Sequence, residues 1–309
     1  MRVVTQHTVG APSVLTIVET VRPEPSYGQV LIKTGAIGVN PVDGHVRSGA
    51  FAMLGEPPFT VGWDVAGTIE SVGPGVSAFA VGDKVLGMLA LPQAGNTYAE
   101  YVLASVNEII YKPTSLTIQQ AAALPMAGLT AWQSLVGLAR IQSGQRVLVH
   151  RAAGGVGHLA VQIAKARGAY VIGTASARKH GLLSSLGVDE LIDYHTRDFT
   201  EVGPVDVVFD LVGGEYGTRS ARIVAEGGIL ISAYPQDTGV TPELIAELGI
   251  RHAITGVRPS APDLARLVAL VEAGRLTVHI DQVLPLEEAV KAHEIILTGT
   301  TTGKIVLVP

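Results

Sequence analysis

Residues 145–176 restrict the fold more than any other part of the chain. A short apolar run at 146–149 has the composition of a strand buried on both faces of a parallel sheet. A glycine-rich turn follows, then apolar residues at helical spacing as far as Gly168, then a second strand at 169–175. A strand, a turn, a helix and a strand within about thirty residues form a crossover unit. We therefore expect a doubly wound parallel sheet around this stretch.

The glycine turn has the spacing of a dinucleotide fingerprint with alanine in its first position, Ala152-x-Gly154-x-x-Gly157. In such a turn Gly154 lets the backbone approach a pyrophosphate, and Gly157 lets the helix pack tightly on the strand. Gly155 and Val156 lead into the helix N-terminus, whose N–H groups are oriented towards phosphates. Glycine-rich turns also simply end strands, but the flanking strand and helix favour the dinucleotide interpretation.

The residues after the second strand indicate which dinucleotide binds. An NAD site usually places a carboxylate about 20 residues beyond the glycines, on the ribose 2′-hydroxyl. This chain has Ser176, Arg178 and Lys179 instead. Charge-assisted hydrogen bonds contribute roughly 1.5–3 kcal/mol each, so two of them would favour NADPH over NADH by about a hundredfold or more. The alternative is that both cations only solubilise a helix start, where the helix dipole disfavours them.

Composition excludes several other classes of protein. The 309 residues are 47% hydrophobic and 16% charged, enough for two globular domains. A net charge of −5 gives no basic field for nucleic acid, and the absence of cysteine removes disulfides and thiolate metal sites. Because no signal peptide and no membrane-spanning run is visible, we expect a soluble, cytoplasmic protein.

The rest of the chain divides into segments with strand patterns and segments with helical patterns. Short strands predicted at 14–18, 29–36, 65–72, 84–89 and 98–103 suggest a β-barrel or sandwich. A helical sequence pattern begins near Ile118, and Pro125 should break it into two helices. Strands then alternate with helices as far as residue 273. A tail with strands at 278–283 and 304–308 is expected to close the first domain. We therefore predict one domain over 1–121 and 274–309 and a dinucleotide-binding domain over 122–273, with a substrate cleft between them.

Taken together, these motifs resemble the zinc-independent branch of the medium-chain dehydrogenase/reductases, the NADPH-dependent quinone oxidoreductases. The similarity runs from end to end. It is carried by Asn40-Pro41-Val42-Asp43, Gly62-x-Asp64-x-Ala66-Gly67, Gly82-Asp83-x-Val85, Ala123-Leu124-Pro125, Gly128-Leu129-Thr130-Ala131-Trp132, the glycine turn, Ile192-Asp193-Tyr194 and Gly303-Lys304-Ile305-Val306-Leu307.

The resemblance implies a GroES-like β-barrel domain joined to a Rossmann domain, in which hydride passes from bound NADPH to a quinone or another conjugated carbonyl. It places Asn40, as a catalytic residue, and Thr130 beside the nicotinamide, and adds Tyr194 to the residues around the 2′-phosphate. Val212 and Ala233 should line the cofactor. Asn40 capping a turn and Tyr194 filling the edge of the core are the alternatives. A homodimer is expected from the family alone.

Some residues differ from the family pattern at positions that would bind zinc or contact the substrate. The zinc enzymes have Gly-His-Glu where this chain has Gly62-Trp63-Asp64, and no paired histidines rebuild a site, so we expect no metal. Gly44 should widen the substrate pocket, and His45 is either a catalytic proton donor or an ordinary loop histidine. Arg151, where a small residue is usual, either faces the pyrophosphate or turns outward.

Two alternative functions remain open at this point. The first is reduction of the double bond of a 2-enoyl thioester or an alkenal, which shares the fold, the cofactor and the hydride step. The second, from another class, is a protein that binds NADPH without catalysis. The sequence does not identify the physiological acceptor, the pathway or the stereochemistry of hydride transfer.

Overall fold

The computed structural model describes residues 1–234 and 236–309, which form two compact units. Unit 1 comprises Met1–Leu129, Arg258–Glu272 and Val278–Pro309, and unit 2 comprises Thr130–Val257 and Ala273–Thr277. The strands are β1 Arg2–Thr5, β2 Thr16–Glu19, β3 Gln29–Val39, β4 Asp64–Val72, β5 Lys84–Met88, β6 Tyr101–Ser105, β7 Ile109–Tyr111, β8 Arg146–Val149, β9 Tyr170–Thr174, β10 Glu190–Ile192, β11 Val205–Asp210, β12 Val224–Ser232, β13 Arg251–Ile254, β14 Ile280–Pro285 and β15 Lys304–Val308.

The helices follow the same numbering along the chain. They are α1 Pro41–Ser48, α2 Ile118–Ala123, α3 Pro125–Trp132, α4 Gly157–Ala166, α5 His180–Ser185, α6 Glu215–Ala221, α7 Pro242–Glu247, α8 Ala261–Glu272 and α9 Ala289–Leu297. Short 3-10 turns precede α5 at Ala177–Lys179 and α9 at Leu286–Glu288, and a π-helical turn, Gln133–Leu138, continues α3. No helix within the two described ranges combines the length and apolar character needed to cross a bilayer.

Unit 1 is built on a seven-stranded sheet of mixed direction. Its strand order is β14-β15-β3-β4-β5-β7, and β6 pairs with the long strand β3. The C-terminal strand β15 runs antiparallel to β3, so the tail closes the first sheet as the sequence predicts. Buried aliphatic side chains, including Val30, Ile32, Val65 and Ile69, form its core. The sheet arrangement agrees with the predicted barrel domain.

Unit 2 is built on a parallel six-stranded sheet in the order β10-β9-β8-β11-β12-β13. The apolar run at 146–149 forms β8, and Val147, Leu148 and Val149 are fully buried. The chain runs from β8 outward to β9 and β10, then returns to place β11 on the other side of β8. Strand order therefore reverses between β8 and β11, and in open parallel sheets ligands bind beside such a switch point, at the carboxyl ends of the strands.

Some sequence predictions require correction. Helix α1 was not predicted; it begins with a proline after Asn40, ends at Ser48 and is followed by Gly49, whose φ is 85°. Strand β7 and helix α7 were not predicted, because three residues and six residues give too little periodicity to recognise. Pro125 does divide α2 from α3. Residues 122–129 and 258–272 belong to unit 1 and residues 274–277 to unit 2, and the division predicted at 121/122 and 273/274 stays a prediction.

We expect Gly67→Ala to destabilise unit 1. Gly67 lies on β4 opposite Thr34, and a Cβ there would meet the Lys33 carbonyl oxygen at 2.2 Å. Relieving that overlap requires the two strands to separate, at about 1–3 kcal/mol. The matched control is Gly44→Ala on α1, where a Cβ meets nothing within 4 Å and alanine should stabilise the helix by about 0.5–1 kcal/mol. Urea unfolding of both variants measures this, and equal stabilities would contradict it.

Candidate functional site

The glycine turn connects the end of β8 directly to the start of α4. A Cβ on Gly157 would lie 2.3 Å from the Arg151 carbonyl oxygen and 2.8 Å from the Ala152 Cα. Only glycine fits this contact, as the fingerprint predicts. At Gly154 the Arg151 carbonyl oxygen, at 3.2 Å, is the one described atom within 4 Å of a Cβ. The face of the turn at Gly154 is therefore open enough for a ligand to approach the backbone.

Thr174, the last residue of β9, holds the turn from the neighbouring strand. Its carbonyl oxygen accepts a hydrogen bond from the Ala152 N–H at 3.0 Å, and its hydroxyl accepts one from the Arg151 N–H at 3.3 Å. The hydroxyl also lies 3.2 Å from Nδ1 of His150. His150 is fully buried, and its Nε2 lies 2.9 Å from the Ser220 hydroxyl. These bonds connect β8, β9 and α6 directly beneath the turn.

The predicted 2′-phosphate residues lie at the same edge of the sheet. Ser176 and the pair Arg178 and Lys179 follow β9, and Tyr194 follows β10, the parallel neighbour of β9. Arg178 is exposed, Ser176 and Lys179 are half-buried, and Tyr194 is 47% exposed with its ring 4.3 Å from that of His195. No ion pair involves Arg178 within the described part of the chain. Exposed cations at this edge are suitable for an anionic ligand.

A shallow cavity of about 230 Å³ lies beside Tyr194. Its other walls include Arg197, Phe199, Tyr216 and Arg219. The Arg219 guanidinium lies 4.6 Å from the centre of the Phe199 ring and pairs with Asp198 at 2.6 Å. These residues could not be assigned to the site from the sequence, because α6 and the segment after β10 meet only in the folded sheet. Aromatic rings and a guanidinium plane offer flat faces on which a planar base can stack.

The ends of β11 and β12 contain the predicted lining residues Val212 and Ala233. Oδ1 of the buried Asp210 accepts hydrogen bonds from the Val212 N–H at 2.8 Å and the Gly213 N–H at 3.1 Å. The Ala233 N–H donates to the Asp210 carbonyl oxygen at 2.9 Å. Burial raises the pKa of the Asp210 carboxyl. Asp210 thus fixes the backbone at the carboxyl end of the strand beside β8. Thr130 is buried on α3.

Unit 1 contains the predicted catalytic residue Asn40, and both ends of its side-chain amide are hydrogen-bonded. Nδ2 donates to Oδ2 of Asp64 at 3.0 Å and to the Gly38 carbonyl oxygen at 3.2 Å, and Oδ1 accepts from Nζ of Lys304. Lys304 also donates to the Val39 carbonyl oxygen at 2.8 Å. Asn40, Asp64 and Lys304 are all buried. The amide therefore has one fixed orientation.

A second buried chain of polar groups adjoins the first. The Tyr98 hydroxyl donates to Oδ2 of Asp43 at 3.0 Å and lies 3.0 Å from Nε2 of His293. The same Asp43 oxygen accepts from the Asn40 N–H at 2.8 Å, which fixes the start of α1. We call Asn40, Asp43, Asp64, Tyr98, His293 and Lys304 the barrel cluster.

Burial dominates the titration of the barrel cluster. It raises the pKa of Asp43 to about 7 and that of Asp64 to about 6, although hydrogen bonds and the Lys304 charge oppose the rise. Burial also lowers the pKa of Lys304, against the attraction of both carboxylates, and lowers that of His293 to about 3. Asp43, Asp64 and Lys304 belong to motifs of the family resemblance, but no site role was predicted for them. A lone lysine in the apolar run of β15 was the available signal.

His45 lies on α1 and not on a loop. It is half-buried, and its ring is stacked on Phe51 with the ring centres 4.8 Å apart. Burial lowers its pKa, so the neutral imidazole predominates at pH 7. Its role as a proton donor stays a prediction. Within the described residues no group of three or more His, Cys, Asp or Glu side chains has the arrangement of a metal site.

Comparison with known proteins covers both parts of the chain. Residues 26–114 match the family described as "Alcohol dehydrogenase GroES-like domain", and residues 186–307 match "Zinc-binding dehydrogenase". The quinone oxidoreductase of Mus musculus is 35% identical over 99% of this chain and 97% of that protein. A 2-haloacrylate reductase from a Burkholderia species is 34% identical over 98% and 97%. The structure of Escherichia coli quinone oxidoreductase complexed with NADPH aligns with a TM-score of 0.92 at 29% identity, covering 100% of both chains.

The buried His150 should make the protein sensitive to acid. Burial lowers the pKa of His150 to about 3, whereas an unfolded histidine titrates near 6.5. Stability contributed by the neutral ring is therefore present above pH 6.5 and is lost as pH falls towards 3. His150→Gln, which keeps hydrogen-bonding groups, should reduce the loss between pH 7.5 and 4.5 by about 2–3 kcal/mol. Urea unfolding at both pH values measures it, and parallel losses in the two proteins would contradict it.

Removing the Lys304 charge should destabilise the protein more at high pH than at low pH. Nζ of Lys304 lies 3.9 Å from Oδ2 of Asp64, and Lys304→Met leaves that carboxylate buried without its cation, at about 3–5 kcal/mol. Below pH 6 the carboxyl accepts a proton, so the loss should be smaller at pH 5 than at pH 8. The control, Lys304→Met with Asp64→Asn, should recover most of the stability. A loss independent of pH would contradict the charge explanation.

Proposed function

The chain belongs to the quinone oxidoreductase family of the medium-chain dehydrogenase/reductases, and on that premise we propose that it is an NADPH-dependent reductase of quinones or other conjugated carbonyls. The observation that carries the proposal is the Gly157 contact at the switch point of unit 2, together with the cations after β9. The first supports a dinucleotide site and the second supports the phosphorylated form.

The described residues fit NADPH. The open backbone at Gly154 and the first turn of α4, whose N-cap makes no side-chain hydrogen bond, support pyrophosphate binding. Ser176, Arg178, Lys179 and Tyr194 are proposed to contact the 2′-phosphate. The cavity beside Tyr194, with its aromatic walls, is suitable for the adenine.

Bound NADPH supplies a hydride, and with one proton from solvent a two-electron acceptor is reduced. We assign Asn40 a positioning role, because its amide is fully hydrogen-bonded and does not titrate near neutrality. Thr130, Val212 and Ala233 are proposed to hold the nicotinamide half in place, and the bonds to Asp210 keep the last two rigid. Rigid support of this kind lowers the entropic part of the barrier to hydride transfer.

A conjugated carbonyl is the proposed acceptor class, with quinones first. The 2-haloacrylate reductase among the relatives supports activated double bonds as a second class. His45 is proposed to contact the acceptor as a neutral hydrogen-bond donor, since burial lowers its pKa. A His45→Ala variant with unchanged turnover of every acceptor would remove this assignment.

The remaining properties are proposed from the family and from the composition. We propose catalysis without zinc, because the chain lacks cysteine and has Trp63 and Asp64 in the position of a ligand motif. A cytoplasmic location and a homodimer that pairs through β13, the last strand of the parallel sheet, complete the proposal. Metal analysis of the purified protein and size-exclusion chromatography test the first and the last.

We expect a strong preference for NADPH over NADH that depends on the two cations. Arg178→Ser and Lys179→Ser should each lower kcat/KM for NADPH by about tenfold or more and leave that for NADH unchanged, since NADH has no 2′-phosphate. Steady-state oxidation of each cofactor by an ortho-quinone measures this.

The control for this comparison is Arg167→Ser, an exposed arginine at the opposite end of α4. Arg167→Ser should change kcat/KM for neither NADPH nor NADH. Equal loss with both cofactors in the Arg178 and Lys179 variants would show that these cations do not read the 2′-phosphate.

A further inference from the structure

Arg151 directly follows β8, and its backbone has a conformation that arginine rarely adopts. Its φ is 48°, in the left-handed region that suits glycine, and a non-glycine residue held there is strained. The conformation is enforced locally, because the Arg151 N–H is bonded to Thr174 and its carbonyl oxygen contacts Gly157. A glycine would satisfy the same backbone at lower cost, so the retained side chain is a candidate for function.

The side chain of Arg151 reaches across the switch point. Arg151 follows β8 and Tyr234 follows β12, and β11 lies between those strands in the sheet. Nη1 of Arg151 nevertheless lies 3.4 Å from the Tyr234 hydroxyl. The guanidinium therefore spans the carboxyl end of β11. Val212 and Gly213 follow that end, and their N–H groups donate to Oδ1 of Asp210.

We propose that Arg151 binds the pyrophosphate of the cofactor, on the phosphate nearer the nicotinamide. This inference rests on the proposed function. A dinucleotide that crosses the strand ends from the cations after β9 towards Ala233 passes the end of β11, where the guanidinium lies. Arginine matches phosphate with two parallel N–H donors. The long bond to Tyr234 holds the guanidinium over that path.

The strain gives the proposal a signature that a purely structural role lacks. Arg151→Gly relieves the left-handed conformation, so its thermal unfolding temperature should be equal to or higher than that of the unaltered protein. Its affinity for NADPH should nevertheless fall by about ten- to a hundredfold, the loss of charge-assisted hydrogen bonds to one phosphate. Arg151→Lys should recover part of the affinity and should show a similar dependence on salt to the unaltered protein.

Truncated ligands locate the contact. Binding of NADPH, of ADP-ribose 2′-phosphate and of 2′-AMP is measured by calorimetry for the unaltered protein, Arg151→Gly, Arg178→Ser and the control Arg167→Ser. Arg151→Gly should weaken the first two ligands by the same factor and leave 2′-AMP, which has no pyrophosphate, unchanged. Arg178→Ser should weaken all three. Arg167→Ser should weaken none.

The outcomes separate the two proposals. If the unaltered protein binds none of the three ligands, the proposed function fails, and the Arg151 assignment fails with it. If the unaltered protein binds NADPH and Arg151→Gly binds it equally well, only the Arg151 assignment fails. If Arg151→Gly weakens 2′-AMP as strongly as NADPH, or unfolds at a lower temperature than the unaltered protein, the assignment is overturned in favour of a structural link between the ends of β8 and β12.

Discussion

The close contact between Gly157 and the Arg151 carbonyl oxygen is the constraint on which unit 2 depends. A Cβ on residue 157 would lie only 2.3 Å from that oxygen, so no other residue type lets α4 begin directly after the turn that follows β8. This places the helix N-terminus at the reversal of strand order, where an anion is stabilised by free N–H groups and by the helix dipole. Thr174 ties the turn to β9, so the segment with Ser176, Arg178 and Lys179 is connected to the same edge.

Unit 1 solves a different physical problem, the burial of charge. Lys304, Asp64 and Asp43 lie within a few hydrogen bonds of each other in the interior, and such charges are tolerated only when they are paired. Their partner is Asn40, whose two amide ends connect the cation to the carboxylate. The pKa values of both carboxyls are raised because the cost of burying the charge exceeds the stabilisation from hydrogen bonds and from Lys304. The barrel cluster thus fixes the orientation of the one residue that the family resemblance identifies as catalytic.

The sequence predicts what depends on local order. The family and the fold class are confirmed, because strand texture, the glycine spacing and Pro125 are each read over a few neighbouring residues. The barrel cluster could not be predicted, since Asn40, Tyr98, His293 and Lys304 are far apart in the chain and meet only through tertiary packing. Helix α1 was missed because it has only eight residues and contains Gly44 in its interior, which weakens the helical pattern. Arginine rarely adopts a left-handed backbone, so the residue type does not predict this conformation at Arg151 or the direction of its side chain.

The proposed reductase must oxidise bound NADPH and not merely bind it. An anaerobic single-turnover reaction, in which excess protein is mixed with NADPH and then with an ortho-quinone or a 2-haloacrylate, tests it most directly. We expect one NADPH to be consumed for each acceptor reduced, in a phase that follows cofactor binding. Binding of NADPH, seen in its fluorescence, without oxidation by either acceptor would contradict the account and favour a protein that binds the cofactor without catalysis.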